Sequence, residues 1–142
     1  EKGGQWQQAI ALLRDMRQVG FEPDIVSLSA GISACEKGYQ WEQALALFGY
    51  LREVKLEPNV VSYSAGISAC EKGEQWQQAL AVLCEFLAAS VEIDVISYNA
   101  GISACEKGGQ WEHGLALFRE MQEAVLEPNV VSYNAGISAC EK

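Results

Sequence analysis

The sequence has few of the residues that enzyme sites and phosphate-binding surfaces usually require. It contains one histidine, and its ten lysines and arginines are outnumbered by nineteen aspartates and glutamates, which gives a net charge of −9. The acidic balance opposes a general attraction to phosphate. The histidine, His113, stands where Gln8, Gln43 and Gln78 stand elsewhere in the chain, so an exposed polar substitution is favoured over a general base.

Other sequence patterns that are missing exclude further classes of protein. No run approaches the ~18 apolar residues of a membrane helix, so no membrane insertion is expected. There is no CxxC pair or Cys/His cluster of the kind that binds zinc. The Lys-Gly-Gly and Lys-Gly-Glu turns lack the spacing of a phosphate-binding loop. We therefore expect a binding scaffold without catalytic residues, metal or cofactor.

What the sequence does contain is a strict internal repeat of 35 residues. A fixed period of this size indicates units that bury their faces on their neighbours and stack in one dimension. The string GISACEKG begins at Gly31, Gly66 and Gly101. The other markers in register are Trp6, Trp41, Trp76 and Trp111, and Cys35, Cys70, Cys105 and Cys140.

Each unit has the pattern of a helical hairpin. In unit 60–94, the preceding Pro58-Asn59 pair predicts a helix start, because proline disfavours helix in the residue before it and Asn is a preferred N-cap. The first helix is expected to run from Val60 to about Glu71 and to be broken by Gly73. The second shows amphipathic spacing at Trp76, Ala79, Leu80 and Leu83.

A glycine lies inside every first helix, at a cost of ~1 kcal/mol relative to alanine. We expect close approach between the backbones of neighbouring first helices to offset that cost, since Ala30, Gly31 and Ala34 form a patch of small residues. The four glycines are Gly31, Gly66, Gly101 and Gly136.

The in-register cysteines are predicted to be small buried residues. Equivalent positions of packed helices lie ~8–10 Å apart, whereas a disulfide needs Cα atoms within ~7 Å. Cys84 differs, because it stands where other units have Arg14, Gly49 and Arg119. That position predicts an exposed thiol.

The opening of each unit identifies a family. The units begin IVSLS at Ile25, VVSYS at Val60, VISYN at Val95 and VVSYN at Val130. With the 35-residue period, these strings resemble the pentatricopeptide repeat family, whereas the tetratricopeptide unit has 34 residues. The resemblance covers units 25–59, 60–94 and 95–129, a preceding second helix within 1–24 and the start of a first helix in 130–142. The chain departs from the family pattern in its Ala-Gly pair and in the tryptophan that heads each second helix.

The resemblance implies an all-α fold, a right-handed superhelical solenoid of antiparallel helical hairpins. It also implies sequence-specific binding of single-stranded RNA, one nucleotide per repeat, in organellar RNA processing, editing or translation. In the family the second residue of each unit packs on a base, and the fifth and last residues contact its edge. The second residues are Val26, Val61, Ile96 and Val131; the fifth are Ser29, Ser64, Asn99 and Asn134; the last are Asp24, Asn59, Asp94 and Asn129.

The family's pairing preferences imply a short target. Ser29 with Asn59 resembles an adenine reader and Ser64 with Asp94 a guanine reader. Asn99 with Asn129 resembles a pyrimidine reader, so the implied core is 5′-A-G-(C/U)-3′. Structural alternatives stay open, because the last residue is also an N-cap and the fifth residue could lie on a solvated helix face.

Lysines that recur at one register position could also contact the RNA, through its phosphates. One cation per repeat matches one phosphate per nucleotide along a groove, and Lys37, Lys72 and Lys107 are the candidate phosphate contacts. The alternative is that each lysine closes a first helix near its C-terminal dipole, beside Glu36 and its copies. The column is Lys2, Lys37, Lys72, Lys107 and Lys142.

A second function remains open from the sequence. The acidic balance and the near-identity of the units also suit a helical-repeat scaffold that binds other proteins. No polar capping helix is evident, and exposed stacking faces are normally covered by atypical terminal units. We therefore expect further repeats or a partner at both ends. The family resemblance favours a mitochondrial or chloroplast location.

Overall fold

Seven helices account for most of the residues that the computed structural model describes, which are 5–89, 94–123 and 137. Within those residues there is no strand, as expected for an all-α repeat solenoid. The helices are α1 (Gln5–Gln18), α2 (Ile25–Lys37), α3 (Trp41–Glu53), α4 (Val60–Lys72), α5 (Trp76–Ala88), α6 (Val95–Lys107) and α7 (Trp111–Glu123).

The first helices of the units, α2, α4 and α6, begin at side-chain caps. Asp24, Asn59 and Asp94 have extended backbones, and each accepts a hydrogen bond from the backbone N–H three residues on, at 2.9, 2.9 and 3.0 Å. Each cap therefore satisfies one of the free amides of the first turn. The helices start at the first residues of the expected units.

The first helices end in a tight turn whose left-handed residue is not the glycine. Gly73 has an ordinary φ of −86°, whereas the next residue, Glu74, has φ 57°. Tyr39 and Gly109 hold the same left-handed position at 60° and 71°. The helix ends at Gly73 as expected, but backbone freedom does not explain the glycine.

A contact with tryptophan explains why glycine occupies this position. A Cβ atom added to Gly73 would lie 2.3 Å from Cδ1 of Trp41, the first residue of the preceding second helix. The same holds for Gly38 beneath Trp6, at 2.4 Å, and for Gly108 beneath Trp76, at 2.3 Å. Each indole thus lies against the C-terminal glycine of the next unit's first helix, and any larger residue would push the two units apart.

The units stack mainly through their first helices, with α4 packed between α2 and α6. The second helices α3 and α5 each pack against the first helix of their own unit and that of the next, while α1 packs on α2 and α7 on α6. The core lies between these two layers. Tyr63 of α4 joins two second helices there, with its ring 5.5 Å from that of Phe48 and stacked 4.4 Å from that of Phe86.

The expected reason for the glycines inside the first helices is wrong. A Cβ added to Gly31 would lie 2.8 Å from Leu13 Cδ1 and 3.1 Å from Leu47 Cδ1, and these leucines belong to second helices. Gly101 is confined by second-helix leucines in the same way. Gly66 is not, since its nearest neighbour, a Val82 methyl group, would be 3.7 Å away. Gly31 and Gly101 therefore make room for second-helix side chains, because they face the other layer rather than the neighbouring first helix.

The thiols follow the sequence expectation. Cys35, Cys70 and Cys105 are buried and unpaired, and Cys84 is exposed. Burial raises the pKa of Cys35 and Cys105 to about 11 and that of Cys70 to about 12. None of the helices in the described ranges is long and apolar enough to cross a bilayer.

Gly73→Ala should destabilise the protein by about 1–3 kcal/mol, because the new methyl group meets an indole that is itself packed between two units. Gly66→Ala, in the same helix, is the matched control. It has room for its methyl group and should be neutral or stabilising by up to ~1 kcal/mol. Urea unfolding followed by circular dichroism measures both, and equal effects would contradict the tryptophan contact as the cause.

Thiol labelling at pH 8 should separate the two kinds of cysteine, since only the thiolate reacts. In a Cys140→Ser background we expect one fast-reacting thiol, Cys84, per folded chain. The three buried thiols should react only after unfolding, because a raised pKa leaves them protonated. Adding Cys84→Ser should abolish the fast phase, and rapid labelling of Cys70 in folded protein would contradict the burial.

Candidate nucleic-acid interface

An exposed apolar column runs along the first turns of the first helices. Val26, Val61 and Ile96, the second residues of their units, are 71%, 51% and 65% exposed. Isolated exposed apolar residues are ordinary, but these three recur at one register position on adjacent helices. Beside them lie the predicted fifth and last residues, so the structure brings the three predicted positions together.

The fifth and last residues are hydrogen-bonded across the boundary between units. Ser29 Oγ donates to Asn59 Oδ1 at 3.1 Å, although the two are 30 residues apart. The same oxygen of Asn59 accepts from the backbone N–H and the hydroxyl of Ser62, both at 2.9 Å. The Ser29 and Ser62 hydroxyls are themselves 2.7 Å apart. Asn59 is therefore both an N-cap and part of a buried polar triangle.

The next boundary has the same arrangement with a carboxylate. Ser64 Oγ lies 3.4 and 3.3 Å from the two carboxylate oxygens of Asp94 and donates to them. Ser97 contributes its backbone N–H to Asp94 at 3.0 Å, and its hydroxyl lies 2.8 Å from that of Ser64. Asp94 thus caps its helix and also contacts the fifth residue of the unit before, a contact that the sequence did not predict.

The amide of Asn59 has one orientation in this network. Its oxygen accepts from three donors, and a flipped amide would place its own N–H groups against them. The Nδ2 group is thus directed away from the triangle and has no partner among the described residues. Asp94 differs, because a carboxylate offers only acceptors. The two boundaries therefore present opposite hydrogen-bonding groups.

Sequence reasoning missed the third residues, Ser62 and Ser97, which are fully buried. A signal existed, since serine recurs at the third position as Ser27, Ser62, Ser97 and Ser132. Helix capping needs only the backbone N–H of that residue. A hydroxyl kept at a fully buried position indicates a side-chain partner.

The structure describes only some of the remaining predicted residues. Asp24 is exposed and caps α2, and the hydrogen bonds from Ser27 lower the pKa of its carboxyl. Asn99 is half-buried at the equivalent place in α6. Asn129, Val131 and Asn134, together with Lys2 and Lys142, lie outside the described residues.

The lysine column is not a row of free cations. Lys72 forms an ion pair with Glu36, and Lys107 forms one with Glu71, so each lysine pairs with the preceding unit. Lys72 Nζ also lies 3.5 Å from the backbone oxygen of Glu36 and 5.0 Å from the centre of the Tyr39 ring. Lys72 lies in the last turn of α4, and its ammonium group also contacts the C-terminal end of α2, the first helix of the unit before. Lys37 is exposed and makes no ion pair within the described ranges.

The predicted side chains described above line two adjacent clefts. The first is lined by Val26, Ser29, Lys37, Asn59 and Val61, together with the small residues between them. The second is lined by Val61, Ser64, Asp94 and Ile96, with Glu36 at its edge. Val61 belongs to both, so the surface repeats once per unit.

The first helices carry balanced charge, since each of α2, α4 and α6 contains one glutamate and one lysine and no other charged residue. The second cleft is acidic, because Asp94 and Glu36 line it without a lysine. Most other acidic residues lie on the second helices and the linkers. His113 lies in that second layer, exposed beside the ring of Trp76.

Comparisons with known proteins agree on one family. Residues 11–72 match the model described as the pentatricopeptide repeat domain, and residues 93–142 match the model described as the PPR repeat family. The chain belongs to the pentatricopeptide repeat family. No curated protein sequence matches it.

Solved structures of pentatricopeptide repeat proteins have the same helical-repeat fold as this chain. Pentatricopeptide repeat protein PPR10 in complex with an 18-nt psaJ RNA element matches with a TM-score of 0.80 and 29% identity over 94% of this chain. PPR10 from maize matches with a TM-score of 0.72 and 30% identity over 97% of it. This chain spans about a fifth of the length of either PPR10 chain, 20% in both cases.

A more distant structure shows the fold alone. The PPR domain of Arabidopsis thaliana protein-only RNase P 1, in complex with tRNA, has a TM-score of 0.86 at 14% identity. The match covers 97% of this chain and 73% of that one.

Proposed function

We propose that this chain binds single-stranded RNA, one nucleotide per repeat, with a core target of 5′-A-G-(C/U)-3′. The observation that carries the proposal is the repeating cleft, in which two exposed β-branched side chains flank a hydrogen-bonded polar pair. Unstacked bases need an apolar surface for their faces and polar groups for their edges. PPR10, the relative of 29% identity, is bound to RNA in its structure.

The base faces would pack on the second residues. A base placed in the first cleft lies between Val26 and Val61, and one in the second lies between Val61 and Ile96. Burying these exposed side chains is favourable by roughly 25 cal/mol per Å² of apolar area. Such packing accepts any base, so it supplies affinity rather than sequence preference.

The base edges would contact the polar pairs. The outward Nδ2 of Asn59 is a donor and suits a base with an acceptor, such as N1 of adenine. The carboxylate of Asp94 is an acceptor and suits the adjacent N1–H and N2–H donors of guanine. For the third pair, Asn99 with Asn129, the assignment to cytosine or uracil rests on the family resemblance.

Phosphates would approach Lys37, Lys72 and Lys107. Two of these lysines already pair with glutamates, so a phosphate must compete with a carboxylate for them. This competition, together with the overall net charge of −9, predicts modest affinity and a shallow dependence on salt.

The proposed role is to hold RNA rather than to transform it. We propose that the array presents organellar transcripts to proteins that process, edit or translate them, and that protein partners contact the acidic second helices. Exposed second-helix carboxylates such as Glu42, Glu53 and Glu120 motivate that part. Imaging the full-length protein fused to a fluorescent reporter gives its location.

Asp94→Asn should change the preferred second base from guanine to adenine. The substitution makes the second pair the same type as Ser29 with Asn59, and Asn caps a helix about as well as Asp. Fluorescence anisotropy with labelled oligonucleotides containing AGC or AAC should show the preference reversing, by about tenfold in Kd, or ~1.4 kcal/mol. The melting temperature serves as the folding control. Equal binding of both oligonucleotides by the wild type and by the variant would sink the proposal.

Glu71→Gln should strengthen binding to every oligonucleotide by the same factor, because it frees Lys107 for phosphate. The plot of log Kd against log salt should steepen by about 0.7 for the one added contact. Glu53→Gln removes the same charge from an exposed second-helix position and should change neither quantity appreciably. If the two variants behaved alike, Lys107 would not be a phosphate contact.

A further inference from the structure

We propose that the buried third-position serines, Ser62 and Ser97, decide which base the preceding unit accepts, without touching the RNA. They would act as positioning residues by setting the direction of the hydroxyl proton at the fifth position. The inference rests on the proposed RNA-binding role of the clefts. It concerns residues outside the second, fifth and last positions.

Both serines have a hydroxyl that capping does not require. Their side chains are fully buried, with 0% of the residue exposed, and cannot reach a ligand. Their backbone N–H groups make the cap hydrogen bonds. The hydroxyls instead contact the fifth-position hydroxyls of Ser29 and Ser64, at 2.7 and 2.8 Å.

At the second cleft the carboxylate and the buried serine together fix the orientation of the Ser64 hydroxyl. Asp94 can only accept, and in the proposed arrangement the single proton of the Ser64 hydroxyl points to it, at 3.3–3.4 Å. The Ser97 hydroxyl then donates its proton to Ser64 across the shorter, 2.8 Å contact and holds Ser64 in that orientation. Ser64 keeps only lone pairs for a ligand.

The second cleft consequently offers acceptors alone, one from Ser64 and one from Asp94. Guanine presents two adjacent donors, N1–H and N2–H, on its Watson–Crick edge and fits this arrangement. Adenine would place its N1 lone pair against an acceptor, which is unfavourable. Without the Ser97 hydroxyl, only the long contacts to Asp94, at 3.3–3.4 Å, would hold the Ser64 hydroxyl. Ser64 could then rotate and donate to adenine N1, so discrimination between guanine and adenine would fall.

At the first cleft the serine closes a triangle. Asn59 Oδ1, Ser29 Oγ and Ser62 Oγ lie 2.7–3.1 Å from one another. In the proposed arrangement both hydroxyl protons stay within the triangle, because the Ser62 hydroxyl, 2.7 Å away, keeps the Ser29 hydroxyl from turning outward. The ligand therefore meets a donor, the Nδ2 of Asn59, beside an acceptor, the lone pair of Ser29. That pattern complements the N1 acceptor and N6–H donor of adenine.

The competing explanation is that these serines only stabilise the packing of adjacent first helices. In that case an alanine substitution would weaken binding to all sequences alike, through stability. A positioning role makes a different prediction, because each serine should affect one nucleotide only. The chain contains its own matched control, since Ser62 and Ser97 occupy equivalent sites beside different nucleotides.

The experiment measures base discrimination at each nucleotide separately, by anisotropy with the full chain and oligonucleotides containing AGC, AAC or GGC. Ser97→Ala should reduce the preference for guanine over adenine at the second nucleotide by about fivefold, the factor of one lost hydrogen bond. Discrimination at the first nucleotide should stay as in the wild type. Ser62→Ala should reduce the preference for adenine over guanine at the first nucleotide and leave discrimination at the second unchanged. Ser97→Thr, which keeps the hydroxyl, should restore the guanine preference at the second nucleotide.

The outcomes separate this inference from the proposed function. If Asp94→Asn switches the preferred base but Ser97→Ala leaves second-nucleotide discrimination unchanged, the positioning role is wrong and the RNA-binding role stands. Equal losses at both nucleotides for Ser97→Ala also overturn it. A wild type without base preference, unaffected by Asp94→Asn, overturns both. Should Ser97→Ala fail to fold, Ser62→Ala applies the same test at the first nucleotide.

Discussion

The stack depends on a contact between the tryptophan that opens each second helix and the glycine that ends the first helix of the next unit. The indole ring occupies the space where a Cβ atom would be, and this fixes how closely the two units approach. That approach brings the caps Asn59 and Asp94 within hydrogen-bonding distance of the fifth residues of the units before. The clefts and their polar pairs exist only because this spacing is maintained.

Stability and the proposed recognition of RNA depend on the same residues at the two described boundaries. Asn59 and Asp94 satisfy amides at a helix start, and the same side chains hold the fifth-position serines. Asn and Asp are both preferred caps, so exchanging one for the other replaces an amide by a carboxylate in the cleft while keeping the helix start. Under the proposed function, base preference could therefore change from unit to unit at little cost in stability.

Sequence reasoning succeeded where the controlling physics is local. The cap pair and the amphipathic spacing predicted the start of α4 at Val60 and of α5 at Trp76, because capping and periodicity act within a few residues. It failed for the reason given for Gly31, which makes room for leucines of two second helices rather than for a neighbouring backbone. It placed the end of α4 correctly at Gly73 but did not anticipate the tryptophan that covers this glycine.

The sequence alone determined the repeat, the hairpin, the family resemblance and the set of second, fifth and last residues, since all of these follow from a 35-residue register. Tertiary structure decided what those residues do together. It paired Lys72 and Lys107 with glutamates of the preceding unit, and it joined Ser62 and Ser97 to the fifth-position hydroxyls. Hydrogen bonds and ion pairs between residues about 30 to 36 apart depend on how the units stack, and a register describes each unit by itself.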